Sequence, residues 1–300
     1  MSHARRIARS YTVPPLQQGF AGPGHLAAPV LRADGWPLTD PFIMLMDDHL
    51  DMGEGQVGGA HPHAGFETVT LVLDGTMHDP DEGGLIRAGE VQWMTAGRGI
   101  VHNENAQTTG KVRLLQLWLT LPKAQRWTEP GFQDVRGDRV PVRREPGVEA
   151  RVYSGASGGM TSPTRNHVPV TMVEFRLEQG ASVEQELPAS DNGFVFVLEG
   201  AVRAGDDGTL LSAGQVGWLD RPESDRRAGP VDPPTSTLRL AAGDAGARLV
   251  LYAGQPQGDA IVSHGPFIGD TPEDIKRLYA EYRAGRFARM SEIAAPARAR

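Results

Sequence analysis

The sequence predicts an all-β fold built from two copies of one domain and closed by a single short helix. Three observations predict it. Glycine and proline number 37 and 23 of the 300 residues, one residue in five against roughly 12% in average usage, and such punctuation cuts a chain into short elements joined by turns. Apolar residues alternate with period two in several segments, as strands with a buried face require. Two separated blocks also repeat at one offset of 125 residues.

The start, MSHARRIARSYTVPP, carries Arg5, Arg6 and Arg9 with no apolar stretch behind them, so it does not read as a signal peptide. Glu67 to Leu73 alternates Val69, Leu71 and Leu73 on one face, and Leu114 to Leu121 alternates Leu115, Leu117, Leu119 and Leu121. Between Met77 and Leu85, the Asp, Pro and Gly residues of HDPDEGG predict a hairpin turn. The expected organisation is a first domain over 1–130, a connecting segment over 131–165 rich in Pro, Gly and Arg, a second domain over 166–270, a helix over 271–290 and a tail over 291–300. In the helix, Thr271 is the N-cap, Pro272 the first residue, and Glu273 and Asp274 sit in the first turn; Ile275, Leu278, Tyr279 and Tyr282 then recur at helical spacing. It should end near Gly285.

The repeat carries the domain count. FETVTLVLDGTM (66–77) aligns without a gap on DNGFVFVLEGAV (191–202), and LIRAGEVQWM (85–94) on LLSAGQVGWL (210–219). Leu73 falls on Leu198, Gly75 on Gly200, Gly89 on Gly214, Val91 on Val216 and Trp93 on Trp218, which marks the tryptophans as core.

Composition excludes several functions. With no cysteine there is no disulfide scaffold, thiolate metal site or cysteine nucleophile, so a metal must be held by His, Asp or Glu. A net charge of −7 with scattered basic residues lacks the stripe that a phosphate backbone needs. No apolar run approaches the ~18 residues of a membrane helix. The expectation is a cytoplasmic monomer with no direct nucleic-acid or membrane partner.

Chemistry concentrates in the first half. Seven of the nine histidines lie within the first 102 residues, and His61-Pro62-His63 places two imidazoles on one face of an extended segment. Some forty residues on, His102 and Glu104 repeat that i, i+2 spacing. Three imidazoles and one carboxylate on neighbouring strands suit a first-row transition metal with open positions. At the 125-residue offset these four positions hold Glu186, Pro188, Arg227 and Gly229, so the fold does not require the ligands.

HPHAGFETVTLVLDG, GEVQWMTAGRGIVHNE and HGPFIGDTPEDIKRLYAEYRAGRF, in that order and spacing, closely resemble the pirin family of the cupin superfamily, from about Asp40 to Phe287. The resemblance implies a tandem bicupin, two β-sandwich or barrel domains packed face to face with a short C-terminal helix. It implies metal ligands at His61, His63, His102 and Glu104, with iron, as Fe(II), the expected metal and other divalent first-row metals as alternatives. Two roles follow from it: oxygen-dependent opening of flavonols such as quercetin with release of carbon monoxide, Glu104 acting as catalytic base, or iron-dependent regulation through a protein partner, a metabolic enzyme or a transcription factor. Ala64 departs from the family, where a basic residue often follows the second histidine.

Other residues read more plainly. Glu67 is structural or lies outside the ligands. Arg98 either orients an anionic substrate or satisfies turn carbonyls. Asp47, Asp48 and His49 are expected in a solvated turn, and His78 at a hairpin end. Gly53 to Gly58 formally matches GxGxxG but is followed by a strand, so no dinucleotide site and no organic cofactor are expected.

Overall fold

A computed structural model of the chain describes residues 2–51, 56–57, 59–79, 84–103, 106–108, 110–222, 234–290 and 293. The described residues are mostly β, with one α-helix among them. It forms two compact units, one of residues 14–137 with 257–300 and the other of 1–13 with 138–256. No described helix is long and apolar enough to cross a membrane.

These units interleave along the sequence, whereas the sequence predicts consecutive domains over 1–130 and 166–270. Ile7–Thr12 pairs with Gln215–Leu219, so the N-terminal strand completes the C-terminal unit. In the segment expected to connect the domains, Gly131–Val135 is an edge strand on Val91–Thr95, and Val142–Glu145 extends the sheet through Val148–Ser154. The reason is physical. Edge strands are buried weakly, so polar IARSYT and VRRE carry no period-two signal.

The N-terminal unit is built on a seven-stranded sheet in the order Gly131–Val135, Val91–Thr95, Phe66–Asp74, Val112–Thr120, Phe42–Leu50, His25–Leu31, Gln17–Gln18. Ala60–His63 and Ile100–Asn103 form a separate three-stranded sheet with Ala288–Arg289. The hairpin expected around HDPDEGG is present as Thr76–Asp79 on Gly84–Arg87, although its turn at 80–83 lies outside the described residues.

The repeat holds to the level of register. In the first copy Trp93 pairs with Val69 and Val91 with Leu71. In the second, Trp218 pairs with Phe194 and Val216 with Phe196, each 125 residues on. Both tryptophans are buried, as expected. The interiors differ. The C-terminal unit contains a large hydrophobic cluster that includes Val183, Leu187, Val195, Leu238 and Leu249.

The helix runs Pro272–Arg283, with a capping box in which Thr271 accepts from the Asp274 amide while the Asp274 carboxylate accepts from that of Thr271. Its Ile275 and Leu278 pack with Ala64, Phe267 and Phe287. Except for Ile293, the tail expected over 291–300 lies outside the described residues.

Candidate metal centre

Ala60–His63 and Ile100–Asn103 run antiparallel with His102 opposite His61 and Ile100 opposite His63. The alternation of strand side chains then turns His61 and His63 to the face that His102 also occupies. The ligand atoms of the three lie within 4.8 Å of one another, and His61 Nε2 and His102 Nε2 stand 2.8 Å apart. His63 and His102 are buried, and His61 is half-buried.

The two strands are held together by the end of the chain. Phe267 forms a parallel bridge with Ala64, and Ala288 and Arg289 pair in parallel with Ile100 and Val101. The approach is so close that a Cβ on Gly65 (φ +87°) would stand 1.9 Å from the Ile268 carbonyl oxygen, and one on Gly99 (φ +136°) 2.6 Å from the Phe287 ring. Glycine is needed at both positions for conformation and for space. Three separate motifs of the sequence therefore meet at one place.

The electrostatics favour a neutral imidazole at His63. Burial holds His63 well below the usual imidazole pKa, and the neighbouring His102 and His61 push it the same way. The backbone of Pro266 acts in the opposite sense, and burial outweighs it. His61 Nδ1 sits 2.7 Å from the Gly59 carbonyl, which fixes the proton on Nδ1 and leaves the Nε2 lone pair facing the cluster. Converging imidazoles, one of them held in its tautomer by a backbone carbonyl, are a donor set a first-row metal takes, so these residues fit the metal expected. Glu104 lies outside the described residues, as do Arg227 and Gly229.

His61 and His63 line a cavity of about 850 Å³ together with Met44, Met46, Trp118, Gln116 and Asp48, with Gln18 and Phe20 also lining it. The Trp118 ring stands 5.5 Å from that of His63 and 4.3 Å from that of Phe66. This volume and mixture of apolar walls with a few polar groups suits a small organic ligand.

Asp47, Asp48 and His49 are not a solvated turn. They belong to strand Phe42–Leu50, and both aspartates are buried. Burial alone would raise the Asp47 pKa, but donors from His49 and Arg113 outweigh it and hold it below the usual range. Asp48 faces the cavity and is held by His25, 2.7 Å away. His25 was missed in the sequence because it stands alone, 23 residues from its partner. The one legible signal was a pair of carboxylates closing an apolar run, FIMLMDD.

Glu67 is fully buried and pairs in register with Thr95, whose hydroxyl donates to it at 2.7 Å. Phe66, its neighbour, faces His63, so Glu67 points to the other side of the strand. Burial pushes its pKa up to about 7 against the donors Thr95 and Trp93. Arg98 is exposed and forms an ion pair with Glu129 at 2.7 Å, while its amide donates to the Thr128 carbonyl. His78 pairs through its backbone with Leu85, within the hairpin.

In the C-terminal unit Glu186 and Pro188 are both exposed, and it is Val183, Gln185 and Leu187 that face inward. Val183 and Leu187 belong to the hydrophobic cluster of that unit, whereas His61 and His63 of the first copy line a cavity.

Two repeated β-domains, one with a histidine cluster opening on a cavity, define a cupin of the two-domain type. The Pirin family model matches residues 27–119, and the model of the pirin C-terminal cupin domain matches residues 172–288. The chain is 35% identical to Pirin-like protein 2 of Arabidopsis thaliana over 83% of this chain and 76% of that one. It is 36% identical to a pirin-like protein of Caulobacter vibrioides over 83% and 88%. It belongs to the pirin family. Among solved structures, a quercetin 2,3-dioxygenase from Acinetobacter baumannii matches with a TM-score of 0.78 and 26% identity over 95% of this chain and 98% of that one.

Proposed function

We propose that this chain is an iron-dependent dioxygenase that opens flavonols such as quercetin with release of carbon monoxide. The observation that carries the reading is the cluster of His61, His63 and His102, of which His61 and His63 line a cavity of about 850 Å³ walled in part by Trp118. The solved relative named as a quercetin 2,3-dioxygenase supports the substrate class.

In this reading His61, His63, His102 and Glu104 hold the metal. When bound, it supplies a Lewis acid for the flavonol oxygens and an open position for dioxygen. The chain's own residues do the rest. Glu104 takes the proton of the 3-hydroxyl as general base. Trp118, Met44 and Met46 cover the rings and exclude water from the reacting face, which strengthens each electrostatic contact made there. The Gly59 carbonyl keeps His61 in the tautomer whose Nε2 accepts a cation.

Oxygen uptake and carbon monoxide release by the iron-loaded protein with quercetin test the proposal. Stoichiometric uptake and release are expected. An iron-loaded protein that consumes no oxygen with any flavonol overturns it and leaves the iron-dependent regulator, acting through a protein partner, as the reading of the same site.

A further inference from the structure

The cavity has a second polar anchor built into its wall. Met44, Met46 and Asp48 alternate on one face of strand Phe42–Leu50, and all three line the cavity. Met44 is in register with Trp118, whose ring stands 5.5 Å from that of His63, so this wall begins beside the histidines. Asp48 lies four residues further along, about 13 Å at roughly 3.3 Å per residue. That span suits a ligand of three rings with one end at the histidine cluster.

The carboxylate is held by design of the surrounding chain. Asp48 is 7% exposed and His25 1%. The Ala21 amide donates to His25 Nδ1 at 3.2 Å, which leaves the ring proton on Nε2, 2.7 Å from Asp48 Oδ1. The same histidine carries the cavity rim. The Gly19 amide donates to its carbonyl at 2.8 Å, and Phe20 meets its ring edge-on at 5.2 Å. A Cβ on Gly19 would stand 2.4 Å from that ring, so the rim lies directly on it.

A carboxylate fixed by a histidine N–H in a largely apolar wall is a strong acceptor with a defined direction. We infer that Asp48 is a specificity-determining residue, positioned by His25, that accepts a hydrogen bond from a hydroxyl at the end of the ligand remote from the histidine cluster. It thereby selects aromatic ligands that carry a donor there. The inference rests on the reading of the cavity as a site for flavonol-like molecules.

The test is anaerobic calorimetry on the iron-loaded full chain with two ligands: quercetin, and the flavonol whose only hydroxyl is the one at position 3. The wild type should bind quercetin more tightly. Asp48→Asn should weaken quercetin by about 10-fold, the ratio expected when a charged acceptor becomes neutral, and change the other ligand less than about twofold, with iron content unchanged. The double variant His25→Phe/Asp48→Leu, which replaces both members by apolar groups and so strands neither in the interior, should show the same loss of preference. Equal weakening of both ligands, or no change in either, overturns the assignment of Asp48. A wild type that binds both ligands equally overturns it as well, and leaves the cavity reading standing. A wild type that binds neither overturns both.

Discussion

His61 and His102 face each other across an antiparallel strand pair with their Nε2 atoms 2.8 Å apart. Two ring nitrogens at that distance can share only one proton, and the Gly59 carbonyl already fixes the proton of His61 on the other side of its ring. The pair, with His63 beside it, is arranged to receive a cation.

Replacing His63 by alanine should therefore remove a direct ligand. The loss of metal affinity should be at least the 10- to 100-fold typical of a change outside the ligands. Iron content after dialysis against a competing chelator measures it, and equal retention by wild type and His63→Ala would refute the ligand assignment.

Each chain should bind one metal. In the C-terminal unit Glu186 and Pro188 point to solvent, and Val183 and Leu187 fill the interior. Loading at ~100 times the dissociation constant should add about 2.7 kcal/mol to the N-terminal unit. Chelation should then lower the melting temperature while the far-ultraviolet circular dichroism at 25 °C keeps its β signature. Two tightly bound metals per chain, or a coil spectrum on chelation, would contradict this.

Much of this was legible beforehand for a simple reason. Ligands at i and i+2 on a strand share a face whatever the surroundings, so His61 and His63 could be paired from spacing alone, and the repeat supplied a copy of the fold without them. Glu104 was read by the same spacing and from the pirin likeness. What could not be read needed long-range geometry. His25 meets Asp48 only because the two strands are neighbours, and the edge strands Ile7–Thr12 and Gly131–Val135 are too polar to announce themselves. The interchange of chain ends between the units is invisible in a linear reading, since no local propensity records which sheet edge a strand will join.

Glu67 should make stability depend on pH. Its folded-state pKa of about 7 lies above the ordinary 4.5 because burial disfavours the charged form. Between those values the native state binds more protons than the unfolded one, so stability falls as pH rises from about 4.5 through 7, by about 3 kcal/mol at the upper end. Glu67→Gln keeps an acceptor for Thr95 and removes the charge. The variant should melt higher than wild type at pH 8 and close to it at pH 5; a pH profile parallel to wild type would show that Glu67 does not titrate in this range.

The last expectation concerns Glu104. In the proposed function it is both ligand and base, two duties that glutamine would separate, because the amide oxygen can still meet a metal but accepts no proton at neutral pH. Glu104→Gln should retain iron in measurable amount while flavonol turnover per bound iron falls by roughly 10²- to 10⁴-fold, the usual worth of a general base. Glu67→Gln is the matched control: Glu67 lies on the opposite face of its strand from Phe66, which packs against His63, so the same chemical change there should alter turnover far less. Oxygen consumption normalised to iron content reads both. If iron-replete Glu104→Gln turns over at the wild-type rate, the proton goes elsewhere and Glu104 is not the base. If Glu67→Gln loses as much as Glu104→Gln, the loss comes through the β-scaffold and not from a missing proton acceptor.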